Sequence, residues 1–289
     1  MFGITRQAYY QYIWQEESIS IEQELVLQEI QRIRKNHRHM GGRKLYECIA
    51  PFMLENQIKM GRDALFDLLA ANRLLVRKKK RKVYTTQSFH WLRKYPNLIR
   101  GFAPTESNQL WVSDITYWKI QIGFVYISFI TDAYSHKIIG YNIANTLEGI
   151  ESIKALKMAL SGLVMNENDS IELIHHSDRG VQYCSLDYVN LLQDYHIKIS
   201  MTENGDPLEN AIAERINGII KEEYLFDYKV NNLYQAKKVL EKVVKLYNDE
   251  RPHMSIGYLT PNSVHKLNVK TDKLWQNYKA KKYTFVNQF

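Results

Sequence analysis

The sequence predicts an α/β domain in which helices cover both faces of a mixed five-stranded sheet, preceded by a smaller helical domain. Two observations lead to this fold class. Three strand-like runs follow one another with short turns between them, at residues 111–119, 123–131 and 137–144. Helical and strand-like runs then alternate, and in chain order they are helix 152–160, strand 171–177, helix 186–194, strand 197–201, helix 209–224 and helix 234–248.

The helical domain is predicted over residues 1–76. A short helix is expected within residues 1–17, and apolar side chains recur at helical spacing along residues 20–38, which predicts a second helix. Residues 43–76 then predict two helices around a polar turn, the second of them over residues 61–72. Two short helices joined in this way form a helix-turn-helix-like element.

Charge is unevenly distributed along the chain. Residues 1–100 hold 19 Lys and Arg against 9 Asp and Glu, whereas residues 101–289 hold 20 against 22. The densest run lies in a linker predicted over residues 77–103 and consists of Arg77, Lys78, Lys79, Lys80, Arg81 and Lys82. Six adjacent cations stay solvated, and each phosphate that they contact releases counterions, so the run predicts salt-dependent binding of a polyanion such as DNA. The alternative is that the asymmetry only aids solubility.

Composition excludes several classes of protein. No apolar run approaches the ~18 residues of a membrane-spanning helix, and the first residues lack the pattern of a secretory signal. Cys48 and Cys184 are too few for a disulfide framework or a zinc site. We therefore expect a cytoplasmic protein without membrane partners, with a core domain over residues 104–265 and a C-terminal tail over residues 266–289.

Three acidic residues stand where a folded sheet could bring them together. Asp114 lies within the alternating apolar and polar run 108–117, which predicts a half-buried strand. Asp178 follows an apolar run that ends at Ser177, and Glu214 comes after 35 further residues in a helical run. Lys221 lies seven residues beyond Glu214, about two turns along the same helical face.

This pattern points to metal-dependent phosphoryl transfer. Carboxylates brought together repel one another, and the repulsion raises their pKa values unless cations neutralise them. Two Mg²⁺ ions, or Mn²⁺ in their place, would neutralise Asp114, Asp178 and Glu214 and would clamp the attacking and leaving oxygens of an in-line displacement.

Several motifs in the same region carry a family resemblance. WVSDITY, HSDRGVQY, ENAIAERINGIIKEE, YNDERPH and GYLTPNSV resemble the retroviral-integrase-type core of bacterial insertion-sequence transposases. The resemblance covers about residues 40–265 and is to the group encoded by two overlapping frames, in particular to the product of the second frame. It implies a ribonuclease-H-like fold, a catalytic triad of Asp114, Asp178 and Glu214, and a basic residue at Lys221.

The resemblance also implies partners. These are double-stranded DNA (the element's ends and the target), the upstream-frame product or a fusion with it, and further copies of the chain on DNA, all at the bacterial nucleoid. The element at 43–76 matches a helix-turn-helix-like element of the family, in which Arg62 would contact bases. A two-helix hairpin without a DNA role is the alternative. The resemblance further implies that the first frame supplies a separate helix-turn-helix and an oligomerising zipper, and no sustained heptad pattern occurs in this chain. We therefore expect this chain alone to bind element ends weakly.

Accessory roles are open at three positions. His176 could order Asp178 or contact the scissile phosphate, and Asn210 could orient Glu214 or simply cap its helix. Arg251, in YNDERPH, could reach DNA together with His253 or could pair with a nearby acid. Asp132 is assigned to a turn.

Two departures from the family pattern affect the residues around the triad. Leu208–Glu209 and Arg215 stand where relatives usually carry other residues, which puts target preference in doubt more than catalysis. Two further functions stay open: a nuclease of the same fold without strand transfer, and a non-catalytic DNA-binding regulator.

Overall fold

The computed structural model describes residues 5–76, 91–163, 172–203 and 210–267. The chain divides into two compact units, residues 1–80 and residues 81–289. None of the helices in the part of the chain that the structure describes is long and apolar enough to cross a membrane.

Over its described residues, 5–76, the first unit contains three helices, α1 (Arg6–Arg34), α2 (Gly42–Glu55) and α3 (Arg62–Ala71). Their apolar faces meet in one core, whose fully buried members include Val26, Ile30, Leu45, Ile49, Leu65 and Leu69. The two helices predicted within residues 43–76 are confirmed as α2 and α3. The two separate helices predicted before them are wrong: α1 is one continuous helix, because no glycine or proline interrupts residues 4–40.

The second unit is built on a five-stranded sheet. Its strands are β1 (Leu110–Ile120), β2 (Gly123–Asp132), β3 (Ile138–Ala144), β4 (Ile174–Ser177) and β5 (Lys198–Met201). Their order across the sheet is β3-β2-β1-β4-β5. The first three strands form an antiparallel meander, and β4 and β5 run parallel to β1. The predicted mixed five-stranded sheet is confirmed.

Helices cover both faces of this sheet. The helices of the unit are α4 (Gly149–Ser161), α5 (Val181–Cys184), α6 (Leu186–Asp194), α7 (Ala211–Ile219), α8 (Leu233–Asp249) and α9 (Pro261–Leu267). Trp118 and Ile127 pack with α7 and α8 on one face, and Trp111 and Ile130 pack with α4 and α6 on the other. Alternate residues of β1 thus point into two separate cores, as the pleat of a strand requires.

The helix predicted over residues 209–224 differs from the structure in its last part. α7 ends at Ile219, and Ile220–Tyr224 forms a π-helical segment, here called the π-turn, in which the Leu225 amide donates to the Ile220 carbonyl. A short 3₁₀ segment, Leu225–Asp227, follows. This hydrogen bond joins residues five apart, whereas an α-helical bond joins residues four apart. The π-turn therefore contains one residue more than an α-helical turn.

The predicted linker is shorter than expected at its C-terminal end. Leu92 and Tyr95 pack against the core between the sheet and α6. The Leu98 amide donates to Ser200 Oγ at 2.9 Å, and the Met201 amide donates to the Pro96 carbonyl at 3.3 Å. Residues 91–103 therefore belong to the second unit, and Pro96 and Leu98 attach this segment to β5. The basic run Arg77–Lys82 and residues 268–289 of the predicted tail lie outside the described residues.

Candidate active site beside β1 and β4

Asp114 and Asp178 are neighbours because of strand register. The parallel pairing of β1 with β4 ends at Ser113 opposite Ser177. Asp114 directly follows Ser113, and Asp178 directly follows Ser177. The two aspartates therefore lie next to each other where β4 ends and β1 continues. The sequence placed Asp114 within a strand and Asp178 at a strand end, and both placements are confirmed.

A cavity of about 370 Å³ opens beside these two carboxylates. Asp114 and Asp178 form part of its wall, and the side chains of Tyr117, Tyr126 and Tyr183 form another part. A pocket that combines an apolar wall with a few convergent polar groups has the usual composition of a ligand-binding site.

Glu214 lies on α7, which packs on the same face of β1 to which Asp114 points. The Asn210 side-chain amide donates to the Ser113 carbonyl at 3.0 Å, and the Asn217 amide donates to Asp114 Oδ2 at 2.7 Å. Glu214 lies between these two contacts along the helix. Its side chain is exposed, and the described wall of the cavity does not include it.

The charges of the three acids act on one another. Burial and the Asp178 carboxylate raise the pKa of Asp114 to about 7, and Glu214 adds to this effect. Hydrogen bonds from Asn217 and from the Ile115 amide oppose the increase. Within residues 5–76, 91–163, 172–203 and 210–267, no group of three or more His, Cys, Asp or Glu side chains is arranged so that it could hold a metal ion. The three-carboxylate cage therefore stays a prediction.

Asp178 is held by the turn that follows it. Its Oδ1 accepts a hydrogen bond from the Gly180 amide at 3.0 Å. A Cβ added at Gly180 would come 3.0 Å from this same oxygen and from Gln182 Oε1, closer than most Cβ contacts. The glycine therefore lets the main chain approach the carboxylate.

His175 and His176 point to opposite faces of β4, as the sequence predicts. His176 is fully buried, and its Nδ1 lies 2.8 Å from Ser200 Oγ. A fully buried ring cannot contact a phosphate in this conformation. His175 lies 2.7 Å from Ser113 Oγ and 3.0 Å from the Tyr188 hydroxyl through its Nε2. Burial lowers the pKa of His175 to about 3, so the ring is neutral.

The open roles of Asn210 and Arg251 are decided by their contacts. The Asn210 side chain makes no capping bond to α7 in the described structure, so the capping interpretation is wrong and the amide instead ties α7 to β1. Arg251 is 2% exposed and forms two 2.8 Å hydrogen bonds with Glu223. Of its two predicted roles, it therefore has the one of pairing with a nearby acid. His253 is also buried, so neither side chain offers a surface to DNA. Asp132 accepts hydrogen bonds within its turn, which confirms its assignment.

The structure describes two of the other residues that were predicted to contact DNA, Lys221 and Arg62. Lys221 Nζ lies 4.0 Å from the ring centre of Tyr117, a residue of the cavity wall. Arg62 begins α3, is largely exposed and lies 3.1 Å from Asp63. Asn217 and Tyr117 were not predicted as site residues. Asn217 could have been found from its spacing, one helical turn after Glu214, whereas Tyr117 has no distinctive signal in the sequence.

The chain is similar to proteins of known family over most of its length. Two family models described as integrase core domain match residues 104–207 and 195–261. The insertion element IS600 uncharacterized 31 kDa protein of Shigella sonnei is 35% identical over 266 residues, which are 90% of this chain and 94% of that protein. The transposase for insertion sequence element IS629 of the same organism is 31% identical over 82% of this chain and 78% of its own length.

Among solved structures, the HTLV-2 integrase catalytic core domain in complex with magnesium is 23% identical, with a TM-score of 0.43. The similarity covers 55% of this chain and 96% of that domain. The extent of the sequence matches to these relatives leads to one assignment. The chain belongs to the insertion-sequence transposases that carry an integrase core domain.

Proposed function

We propose that the chain is the catalytic subunit of DNA transposition, cutting a phosphodiester at the element's ends to expose a 3′-OH that then attacks a second strand. The observation that carries this proposal is the pair Asp114 and Asp178, side by side at a cavity, with the pKa of Asp114 raised to about 7 by burial and by its neighbour. Half-buried carboxylates that repel one another are unfavourable for stability alone and are characteristic of sites that bind cations.

The proposed cofactors are a pair of divalent cations, Mg²⁺ or Mn²⁺. Asp114 and Asp178 would hold them, together with Glu214 from α7. Bound there, the cations would supply charge neutralisation and polarisation of the scissile phosphate. All three ligands are carboxylates, which these hard cations prefer.

The chain's own groups would orient these ligands and the DNA. Asn217 fixes the Asp114 carboxylate from α7, and the Gly180 amide fixes Asp178. Lys221, held over Tyr117 at the cavity, would contact a phosphate of the bound strand. The apolar tyrosine wall would exclude bulk water and strengthen these charge interactions.

The helical unit and the basic run would hold the DNA. Arg62 at the start of α3 is exposed and could reach base edges, and Arg77–Lys82 would contact phosphates without regard to sequence. Double-stranded DNA, further copies of this chain and an upstream-frame product are the proposed partners.

A strand-joining assay tests the proposal against its two alternatives. A pre-cut end with a free 3′-OH, incubated with the full chain and Mg²⁺ or Mn²⁺, should be joined to a second duplex. Asp178→Asn should abolish cutting and joining while salt-dependent DNA binding persists. Asp194→Asn, which alters an exposed carboxylate at the end of α6, is the matched control and should keep both activities.

The outcomes separate the functions. Cutting without joining would indicate a nuclease, and DNA binding without any metal-dependent product would indicate a regulator. Either result would overturn the proposal.

A further inference from the structure

Arg251 and Glu223 form a buried ion pair. Nε donates to Oε2 and Nη2 donates to Oε1, both at 2.8 Å, which is the two-pronged geometry that suits a guanidinium and a carboxylate. The Arg251 side chain is 2% exposed and that of Glu223 is 19% exposed. A buried charge is tolerated only with its partner, so the position of Glu223 is tied to that of Arg251 at the end of α8.

Glu223 belongs to the π-turn, Ile220–Tyr224. Segments of this kind are rare, and they are frequent at functional sites because they change the direction of the side chains around them. Ile220 and Tyr224 are buried on either side of Glu223. The ion pair therefore attaches an unusual backbone segment to the helix that packs behind it.

Lys221 lies two residues before Glu223 in the same π-turn. Its ammonium lies 4.0 Å from the centre of the Tyr117 ring, and Tyr117 shares the cavity wall with Asp114 and Asp178. Four residues before Lys221, Asn217 ties α7 to Asp114. Lys221 is thus held between two anchors, one at the catalytic strand and one at α8.

We infer that Arg251 is a positioning residue, which fixes the π-turn through Glu223 and so holds the Lys221 ammonium beside the cavity. The pair connects the motif YNDERPH to the helix that carries Glu214, although neither Arg251 nor Glu223 reaches the cavity. The inference rests on the proposed function only in that Lys221 is taken to contact a DNA phosphate.

A direct measurement of Lys221 needs no DNA. After ¹³C-dimethylation of the lysines of the full chain, the Lys221 signal should be displaced by the Tyr117 ring current, and its loss in Lys221→Arg identifies it. Glu223→Ala and Arg251→Lys should each remove that displacement, because the π-turn is no longer attached to α8. Two variants are used so that, if one of them does not fold, the other still tests the inference. An unchanged Lys221 signal in a folded variant would overturn the inference.

Asn248 supplies a matched control. It is buried on α8, three residues before Arg251, and it bonds to both backbone groups of Ile138 on β3 rather than to the π-turn. Asn248→Leu should lower the melting temperature and leave the Lys221 signal in place. If Asn248→Leu moves the signal as much as Arg251→Lys does, the effect is general loosening, and the inference is wrong.

DNA binding then tests the consequence of this positioning. Lys221→Gln should reduce the slope of log K against log[salt] by about 0.9, the contribution of one phosphate contact. Glu223→Ala should reduce it equally, and the double variant no further. If Lys221→Gln leaves the slope unchanged, the phosphate contact of the proposed function fails. If it reduces the slope and Glu223→Ala does not, the positioning role fails.

Discussion

The side-chain amide of Asn217 donates a 2.7 Å hydrogen bond to Oδ2 of Asp114, joining the helix of one proposed ligand to the strand of another. Asn217 is 5% exposed, so water does not compete for this contact. The Ile115 amide bonds to the other oxygen, Oδ1, at 2.9 Å. Both oxygens of Asp114 are therefore oriented by hydrogen bonds.

Asn217→Ala should weaken cation binding without unfolding the chain. Partners that orient a metal ligand typically contribute about 10- to 100-fold to metal affinity or activity, and a loss in this range is expected. Titration with Mn²⁺ followed by paramagnetic resonance measures the affinity directly. Asn142→Ala, which removes an amide bonded to Glu151 on the far side of the sheet, should leave Mn²⁺ affinity unchanged. Equal losses in the two variants would contradict an orienting role.

Asp114→Asn should stabilise the cation-free protein at neutral and alkaline pH. The pKa of Asp114 is about 7 in the folded chain and lies near 3.8 in the unfolded chain, so the folded state binds the extra proton between these values. The contribution of Asp114 to the free energy of unfolding therefore falls as pH rises from about 4 to 7, by at most about 4 kcal/mol.

Chemical denaturation in EDTA at pH 5 and pH 8 checks this difference. The gain from Asp114→Asn should be larger at pH 8, and added Mg²⁺ should stabilise the parent chain more than the variant. A gain that is the same at both pH values would show that Asp114 is ionised normally.

Gly180→Ala should impair catalysis more than stability. The backbone there has φ −63°, which alanine adopts freely, so the effect comes from the new Cβ at 3.0 Å from Asp178 Oδ1. The carboxylate must move, and we expect strand joining to fall by about 10-fold or more, since ligand geometry is demanding at such sites. Gly162→Ala, whose Cβ would meet only an ordinary 3.6 Å contact, should retain activity. Full activity in Gly180→Ala would mean that Asp178 tolerates displacement.

His175 should make the second unit sensitive to acid. Its pKa is lowered to about 3 by burial, whereas an unfolded histidine titrates near 6.5. Its contribution is present above about pH 6.5 and is lost as pH falls toward 3, because only the unfolded chain takes up the proton. His175→Gln should flatten the dependence of melting temperature on pH in this range. The exposed His196→Asn should not, since asparagine also accepts the positive φ of 54° found there.

The sequence was sufficient for the features that depend on local pattern. The alternation around Asp114 and the apolar run before Asp178 predicted two strands, and parallel pairing then brought the acids together. The sequence did not predict the π-turn at the end of α7. The spacing of Ile216, Ile219 and Ile220 agrees with both an α-helix and a π-turn.

Roles that depend on burial were also beyond local pattern. Arg251 could equally have faced solvent or an acid, and only the packing of α8 behind the π-turn decides between them. Asn210 occupies the position of a helix cap, yet the carbonyl of Ser113 on β1 is a nearer partner for its side chain. In both cases a tertiary contact outweighs the role that the residue type favours.

The segment at residues 95–99 determines where a fragment of the second unit should begin. Its Pro96 carbonyl and Leu98 amide bond to Met201 and Ser200 of β5, the last strand of the sheet. An uncovered edge strand can pair with strands of other molecules. A fragment that begins at residue 104 lacks this cover and should associate or precipitate during purification. One that begins at residue 91 retains it and should remain monodisperse in light scattering.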